Sequence, residues 1–231
     1  MFLNRFLDPL RSFNFKYIIS EVLLIFVGIS LSLYFDQWRT NRADDKKEKD
    51  LLAQLIPAVR RDSIHLGDLI RRNESVSKKM TFLLDSGRFE KAPSKKTILY
   101  LAYINHYFPC KPDYSAFENI KHEGISLITS QNLRISIIQY YEEMTGQKEW
   151  TENILDGHFA QLNPYIIDDF VDYQWGAEAV PENFEKLKAD KRFWKLVSRT
   201  RMFCDVTAVQ MSDRKKFATI FINQLEQEIA R

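Results

Sequence analysis

Residues 17–35 read YIISEVLLIFVGISLSLYF, a run with a single charge, Glu21, and no proline. As an α-helix rising about 1.5 Å per residue it covers roughly 28 Å, close to the hydrocarbon thickness of a bilayer. A helix of a globular core could be as apolar, but the run begins only 16 residues into the sequence. A cleaved signal peptide needs a small-x-small site after its apolar run. Here Tyr34-Phe35-Asp36-Gln37-Trp38 follows, and Ser30-Leu31-Ser32 lies inside the run. An interfacial helix needs a charged face, which is missing. The expectation is an uncleaved transmembrane helix over residues 17–35, behind a tail of residues 1–16.

The flanks agree with a span. Lys16 and Tyr17 mark one edge; Tyr34 and Trp38 mark the other, as interfacial aromatics do. Orientation stays open. Arg5, Arg11 and Lys16 precede the run, and Arg39, Arg42, Lys46, Lys47 and Lys49 follow it, interspersed with Asp36, Asp44, Asp45, Glu48 and Asp50. Counting bases leans toward a cytoplasmic C-terminal side, whereas a short tail before a long domain is the usual layout of a signal anchor with its N-terminus inside. At 100° per residue Glu21, Gly28 and Ser32 fall near one line on the helix. Gly28-x-x-x-Ser32 is a small-xxx-small pair that permits close approach of another helix, and an intramembrane carboxyl on the same face is a hydrogen bonder. Snorkelling of Glu21 to the interface is the alternative. The face is a candidate interface with a second copy or another membrane protein.

Downstream of residue 40 about 190 residues remain, enough for one domain with a core. With 45% hydrophobic and 28% charged residues the composition is that of a globular protein. The net charge of +2 comes from bases scattered among acids, with no nucleic-acid footprint. Seven glycines and seven prolines are few, which points to helices. Cys110 and Cys204 form no zinc spacing; they read as buried thiols or, in an oxidising space, as one disulfide.

Residues 36–87 read as a long juxtamembrane helix leaving the bilayer. Leu52, Leu55, Val59, Asp62, Leu66, Leu69, Asn73, Val76, Met80 and Leu83 recur at spacings of three and four, the pattern of a bundle seam. Pro57 should kink or restart the helix, and Ser86-Gly87 should stop it. In the remaining bundle, residues 94–231, Ser94 caps a helix of about a dozen residues, TILYLAYINHYF. A second short helix runs from about Ser115 to His122 and is closed by Gly124. A third follows Ser130 to about Leu162, where Asn163-Pro164 should break it. After a short segment YIIDDFVDY and a loop to Pro181, Asp190 caps a final helix ending near Ala230, with Phe193, Leu196, Phe203, Val206, Phe217, Ile220, Phe221 and Leu225 as its apolar positions. No strand is expected. The fold class is all-α: an N-terminal transmembrane helix and a membrane-proximal helical bundle with long helices.

Chemical signatures are sparse. His65, His106, His122 and His158 include no i, i+4 pair and no HExxH; His122 reads as favourable charge at a helix end. Asp168-Asp169 and Glu142-Glu143 read as solvated faces rather than acid/base pairs, and no GxGxxG, GxxxxGK[ST] or GxSxG occurs. No catalytic, cofactor or metal residue is assigned, and no cofactor is implied. The densest chemical feature is aromatic: Tyr100, Tyr103, His106, Tyr107, Phe108, Tyr114 and Phe117 lie within 18 residues. They read as core packing, or as a pocket or docking patch to which Asn119 and Arg134 would contribute.

Two segments, YIISEVLLIFVGI with the later Trp38, and SAFENIKHEGISLITSQNLRISIIQYYEEM from Ser115 to Met144, resemble a family of uncharacterised bacterial single-span membrane proteins. In that family a span opening with Gly/Ser-Glu and ending near a Trp precedes a charged long helix. The match covers roughly 60 residues. It departs after the span, where Tyr34-Phe35-Asp36-Gln37 replaces an amide-rich stretch. The resemblance implies helical architecture and a bacterial inner-membrane location, and no activity.

Two functions follow as expectations. The first is a single-pass, non-enzymatic protein-interaction or scaffold module whose partners are the lipid bilayer and a second copy or another membrane protein. The alternative is a membrane-proximal sensory or ligand-binding helical domain acting through a partner, with Tyr103, Tyr107, Phe117, Asn119 and Arg134 around its pocket.

Overall fold

The computed structural model describes residues 15–108 and 112–230. Cys110, the tail of residues 1–14 and the side chains of Lys16 and Tyr17 lie outside the described set, and with them the disulfide expectation and one edge of the span. The chain falls into two compact units, one up to Lys49 and one from Asp50 onward.

In the first unit the backbone is the opening part of helix α1, Phe15–Asp85. The apolar residues from Ile19 to Phe35 are exposed along it. The apolar window has a mean hydropathy of 2.2 and none of it is buried, so this helix is long and apolar enough to cross a membrane. A core helix of similar composition would have its apolar face covered. Trp38 carries the Arg42 guanidinium 4.9 Å from its ring centre, beyond the apolar run.

The second unit is a helical bundle. All ten seam positions of α1 are buried, including Asp62 and Asn73. Pro57 sits inside α1, which does not restart there as expected. A proline in a helix interior costs about 3 kcal/mol. Burying Leu52, Leu55, Ala58 and Val59 around it, at about 1.5–3 kcal/mol for each larger side chain, outweighs that cost.

Helix α2 (Lys95–Leu101) starts at Ser94, whose hydroxyl accepts from the Thr97 N–H, and is shorter than expected. Helix α3 (Ser115–Glu123) ends at Gly124, where φ is +101°. Helix α4 (Gln131–Asp168) is capped by the Ser130 hydroxyl and continues through Pro164. The expected break is absent because Leu162 is buried on one side of the proline and Tyr165 packs 5.4 Å from Phe193 on the other. Helix α6 (Lys191–Ile229) is capped by the Asp190 carboxylate, which accepts from two N–H groups.

A small antiparallel hairpin corrects the expectation of no strand: β1 (Phe170–Gln174) pairs with β2 (Glu178–Pro181). The register shifts between Phe170 and Asp172, leaving Val171 as a bulge. The three-residue connection Trp175-Gly176-Ala177 places Gly176 at φ +74°, the left-handed position such a loop requires. Helix α5 (Phe184–Ala189) leads into α6.

The core forms two clusters along the three long helices. In one, Leu51 to Leu69 of α1 meet Leu133 to Met144 of α4 and Met211 to Leu225 of α6. In the other, Val76 to Leu83 of α1 meet Leu162, the hairpin, α5 and Phe193 to Cys204 of α6. Helix α6 therefore runs antiparallel to both α1 and α4. Of the apolar positions of α6, Val206 and Ile220 are exposed, at 39% and 55%. We expect Leu66→Ala to lower unfolding free energy by about 2–5 kcal/mol; a loss under 1 kcal/mol in chemical denaturation would contradict this packing.

Candidate functional site

Asp68, Arg72, Ser75 and Lys79 recur at helical spacing, so one face of α1 carries them together. Opposite that face, Tyr103 and Phe108 descend from the segment after α2. Between them lies a cleft of about 470 Å³, also bordered by Arg71 and Val76. Two cations of the cleft rest on aromatic faces: the Lys79 ammonium lies 4.4 Å from the Tyr103 ring centre, and the Arg72 guanidinium 5.3 Å from that of Phe108. Arg71 pairs with Asp68. The Lys79 ammonium donates to the Ser75 hydroxyl oxygen at 2.6 Å. Burial holds its pKa below the usual lysine range.

Behind Tyr103 sits His106, its ring tilted against Tyr103 at 4.5 Å and against Trp175 at 4.5 Å. Gly176 lies against it: a Cβ there would come within 3.2 Å of His106 Nε2. The Ala102 carbonyl ties these parts together, accepting from the Gly176 N–H at 3.1 Å and the Tyr173 hydroxyl at 3.3 Å. The Tyr173 hydroxyl shares its single proton between that carbonyl and Asn105 Oδ1, the closer acceptor at 2.7 Å, and burial raises its pKa. Burial first, and the Lys79 charge second, push the His106 imidazole down to about 4.

A second buried histidine, His158, lies where α4 meets α6. Its Nε2 is 2.8 Å from the Thr200 hydroxyl, which is 2.8 Å from the Ile104 carbonyl. A hydroxyl has one proton, and the carbonyl only accepts. Thr200 therefore donates to Ile104 and accepts from an Nε2–H, which fixes a neutral tautomer. Burial, then Arg199, lowers this imidazole to about 4. Cys204 is buried nearby; burial pushes its thiol up to about 12, so it is not a reactive nucleophile.

The sequence-predicted patch separates into distant parts. Tyr103 lines the cleft, and Tyr107 meets Thr207 of α6 at 3.5 Å. Phe117 instead stacks on Tyr141 at 4.3 Å in the other core cluster, and Asn119 donates to Gln54 at 2.9 Å. Arg134 is half-buried at the start of α4 and lines none of the main clefts. Near Phe117 the buried Asp62 carboxylate accepts from the Asp113 N–H and the Tyr140 hydroxyl, both at 3.0 Å. Burial raises its pKa. Asp113 is held down at about 2 by the Ser115 hydroxyl first and Arg61 next. On α1, Glu21, Gly28 and Ser32 are exposed, and nothing lies within 4 Å of a Cβ added at Gly28.

Sequence reasoning missed Arg72, Ser75, Lys79, His106 and Trp175 as one group. The spacing of Arg72, Ser75 and Lys79 was the available signal; Trp175 had none, because only the hairpin turns it onto His106. Among the described residues no group of three His, Cys, Asp or Glu side chains stands ready to hold a metal ion. Comparison with family models, curated proteins and solved structures finds no match to this chain.

Both buried histidines have folded pKa values below their ordinary 6.5. The unfolded chain therefore binds more protons between pH 6.5 and about 4, and stability falls as pH drops through that window, on the order of 2–3 kcal/mol per histidine. Asp62, raised by burial, opposes the loss at the low end. An NMR titration midpoint near 6.5 for either imidazole would contradict the buried neutral assignment. Gly176→Ala should cost about 1–2 kcal/mol from its left-handed backbone alone, and more from crowding His106; denaturant unfolding equal to that of the parent would refute the turn's role.

Proposed function

We propose that this chain is a single-pass bacterial inner-membrane protein whose helical domain is a protein-interaction or scaffold module. The exposed apolar opening of α1 supports the anchor, because that much uncovered apolar surface is stable only in lipid or against other protein. The bilayer is then one partner. The other is a second copy or another membrane protein, met through the Glu21–Gly28–Ser32 face of the span. A further observation supports docking by the domain itself. Met202, Val206, Val209 and Ile220 fall along one face of α6 and are exposed while the core behind them is filled.

Photo-crosslinking residues placed singly at Gly28, Val206 and Ile64 in native membranes test it. Ile64 is an exposed apolar position of α1 outside both faces. Defined adducts from Gly28 or Val206, and none from Ile64, are expected; monomer alone at every position would overturn the interaction reading. For the isolated span, Gly28→Leu and Glu21→Leu should each weaken association by about 1–2 kcal/mol, measured by energy transfer in bilayers. Association unchanged by both would remove the face from the proposal.

The cleft beside Tyr103 favours the second reading, a ligand-binding domain that signals through a partner. The cleft's volume lies within the range of small-molecule sites, and charge is concentrated on its α1 wall.

A further inference from the structure

The cleft between α1 and the Tyr103–Phe108 segment has an unusual charge balance. Its one carboxylate, Asp68, is taken by Arg71. Among the described residues no carboxylate stands within 4 Å of Arg72 or Lys79. Both cations are held instead by aromatic faces. A ring attracts a cation through its quadrupole but does not neutralise it. The rings therefore fix the position of two charges while leaving both free to act outward. An ion pair would have fixed them and cancelled them.

The donors of this wall line the same cleft. Ser75 Oγ accepts from Lys79, which leaves the hydroxyl proton free to donate. The Lys79 ammonium keeps a further N–H beyond those it directs at Ser75. Arg72 offers a planar fork suited to two oxygens of one oxyanion. The three groups share the arc of α1 that faces the cleft. Together they offer one fork, one ammonium and one hydroxyl to a tetrahedral dianion. The cleft's volume of about 470 Å³ leaves room for the body that carries such a group.

We propose that this cleft binds the phosphoryl group of a phosphate monoester through Arg72, Ser75 and Lys79, with Tyr103 and Phe108 holding the two cations in place. The inference rests on the ligand-binding reading and is independent of the partner-docking one. The same headgroup chemistry is offered by a soluble metabolite and by an anionic lipid, and the test separates these sources.

The full chain in phosphatidylcholine nanodiscs is titrated calorimetrically with glycerol 3-phosphate, and the parent nanodiscs are compared with nanodiscs containing phosphatidic acid. Saturable binding at one site per chain is expected. Arg72→Met and Lys79→Met should each weaken it about tenfold, Lys79→Arg should retain it, and Lys191→Met, outside the cleft, should not change it. Thermal unfolding of each variant like that of the parent confirms an intact fold. Occupancy from phosphatidic acid nanodiscs alone, lost in the same variants, assigns the lipid as the source. No saturable binding in either arm, or binding unchanged in the Arg72→Met/Lys79→Met double variant, overturns the proposal. Benzoate binding in place of glycerol 3-phosphate, lost in the same variants, overturns the phosphoryl assignment and leaves a ligand cleft standing.

Discussion

The bundle depends on one stripe of α1, from Leu52 to Leu83, being fully enclosed. Each core cluster draws its contacts from a different length of that stripe. The other two long helices cross both clusters, so removing the stripe would leave neither with a floor. The same burial carries α1 through Pro57, where local propensity alone would end a helix. Burial of several large side chains exceeds the cost of one missing hydrogen bond and a ring clash, and tertiary packing wins over the local preference.

An enclosed stripe must also place the polar groups on it. Asp62 is matched by the Asp113 N–H and the Tyr140 hydroxyl. The Asn73 amide donates to the Leu69 carbonyl at 2.9 Å and to that of Phe108 at 3.3 Å. The Phe108 and Asp113 bonds reach from α1 to the described segments on either side of residues 109–111 and fix the register of those segments against the helix. An apolar contact tolerates sliding by a fraction of a turn. A buried carboxylate that loses its partners does not, because it is left desolvated in a medium of low dielectric. The two polar seam positions thus set position where the apolar ones set affinity.

The cleft follows from the same helix. Its stripe faces the core, and the neighbouring arc presents Arg72, Ser75 and Lys79 to the Tyr103–Phe108 segment. The hairpin backs that segment through the Trp175–His106–Tyr103 stack and the Ala102 carbonyl. A buried neutral imidazole supplies packing volume there without adding a third positive charge behind Lys79. Charge in the cleft therefore stays on its rim, where an incoming anion would meet it.

Much of this was legible in the residues. The apolar run of residues 17–35, the α1 seam, and the caps Ser94, Ser130 and Asp190 each rest on local periodicity or on one side chain reaching a backbone N–H two or three residues away. The hairpin was missed although Gly176 lies between two short runs, because Phe170 to Tyr173 read as the end of the short segment YIIDDFVDY and the residues up to Pro181 as a loop. Residues of the candidate patch are spread over the two core clusters. Tyr103, Phe117, Asn119 and Arg134 are near in sequence, but the chain turns between them and sends Phe117 to Tyr141 while Tyr103 goes to His106. By itself the sequence determined which stripes must be buried and which run is apolar enough for a membrane, since both depend on the spacing of side chains along one helix. Only the tertiary structure decided that Lys79 and Arg72 lie on aromatic faces with no carboxylate paired to either among the described residues, because that depends on which segments meet across space, and no local pattern encodes it.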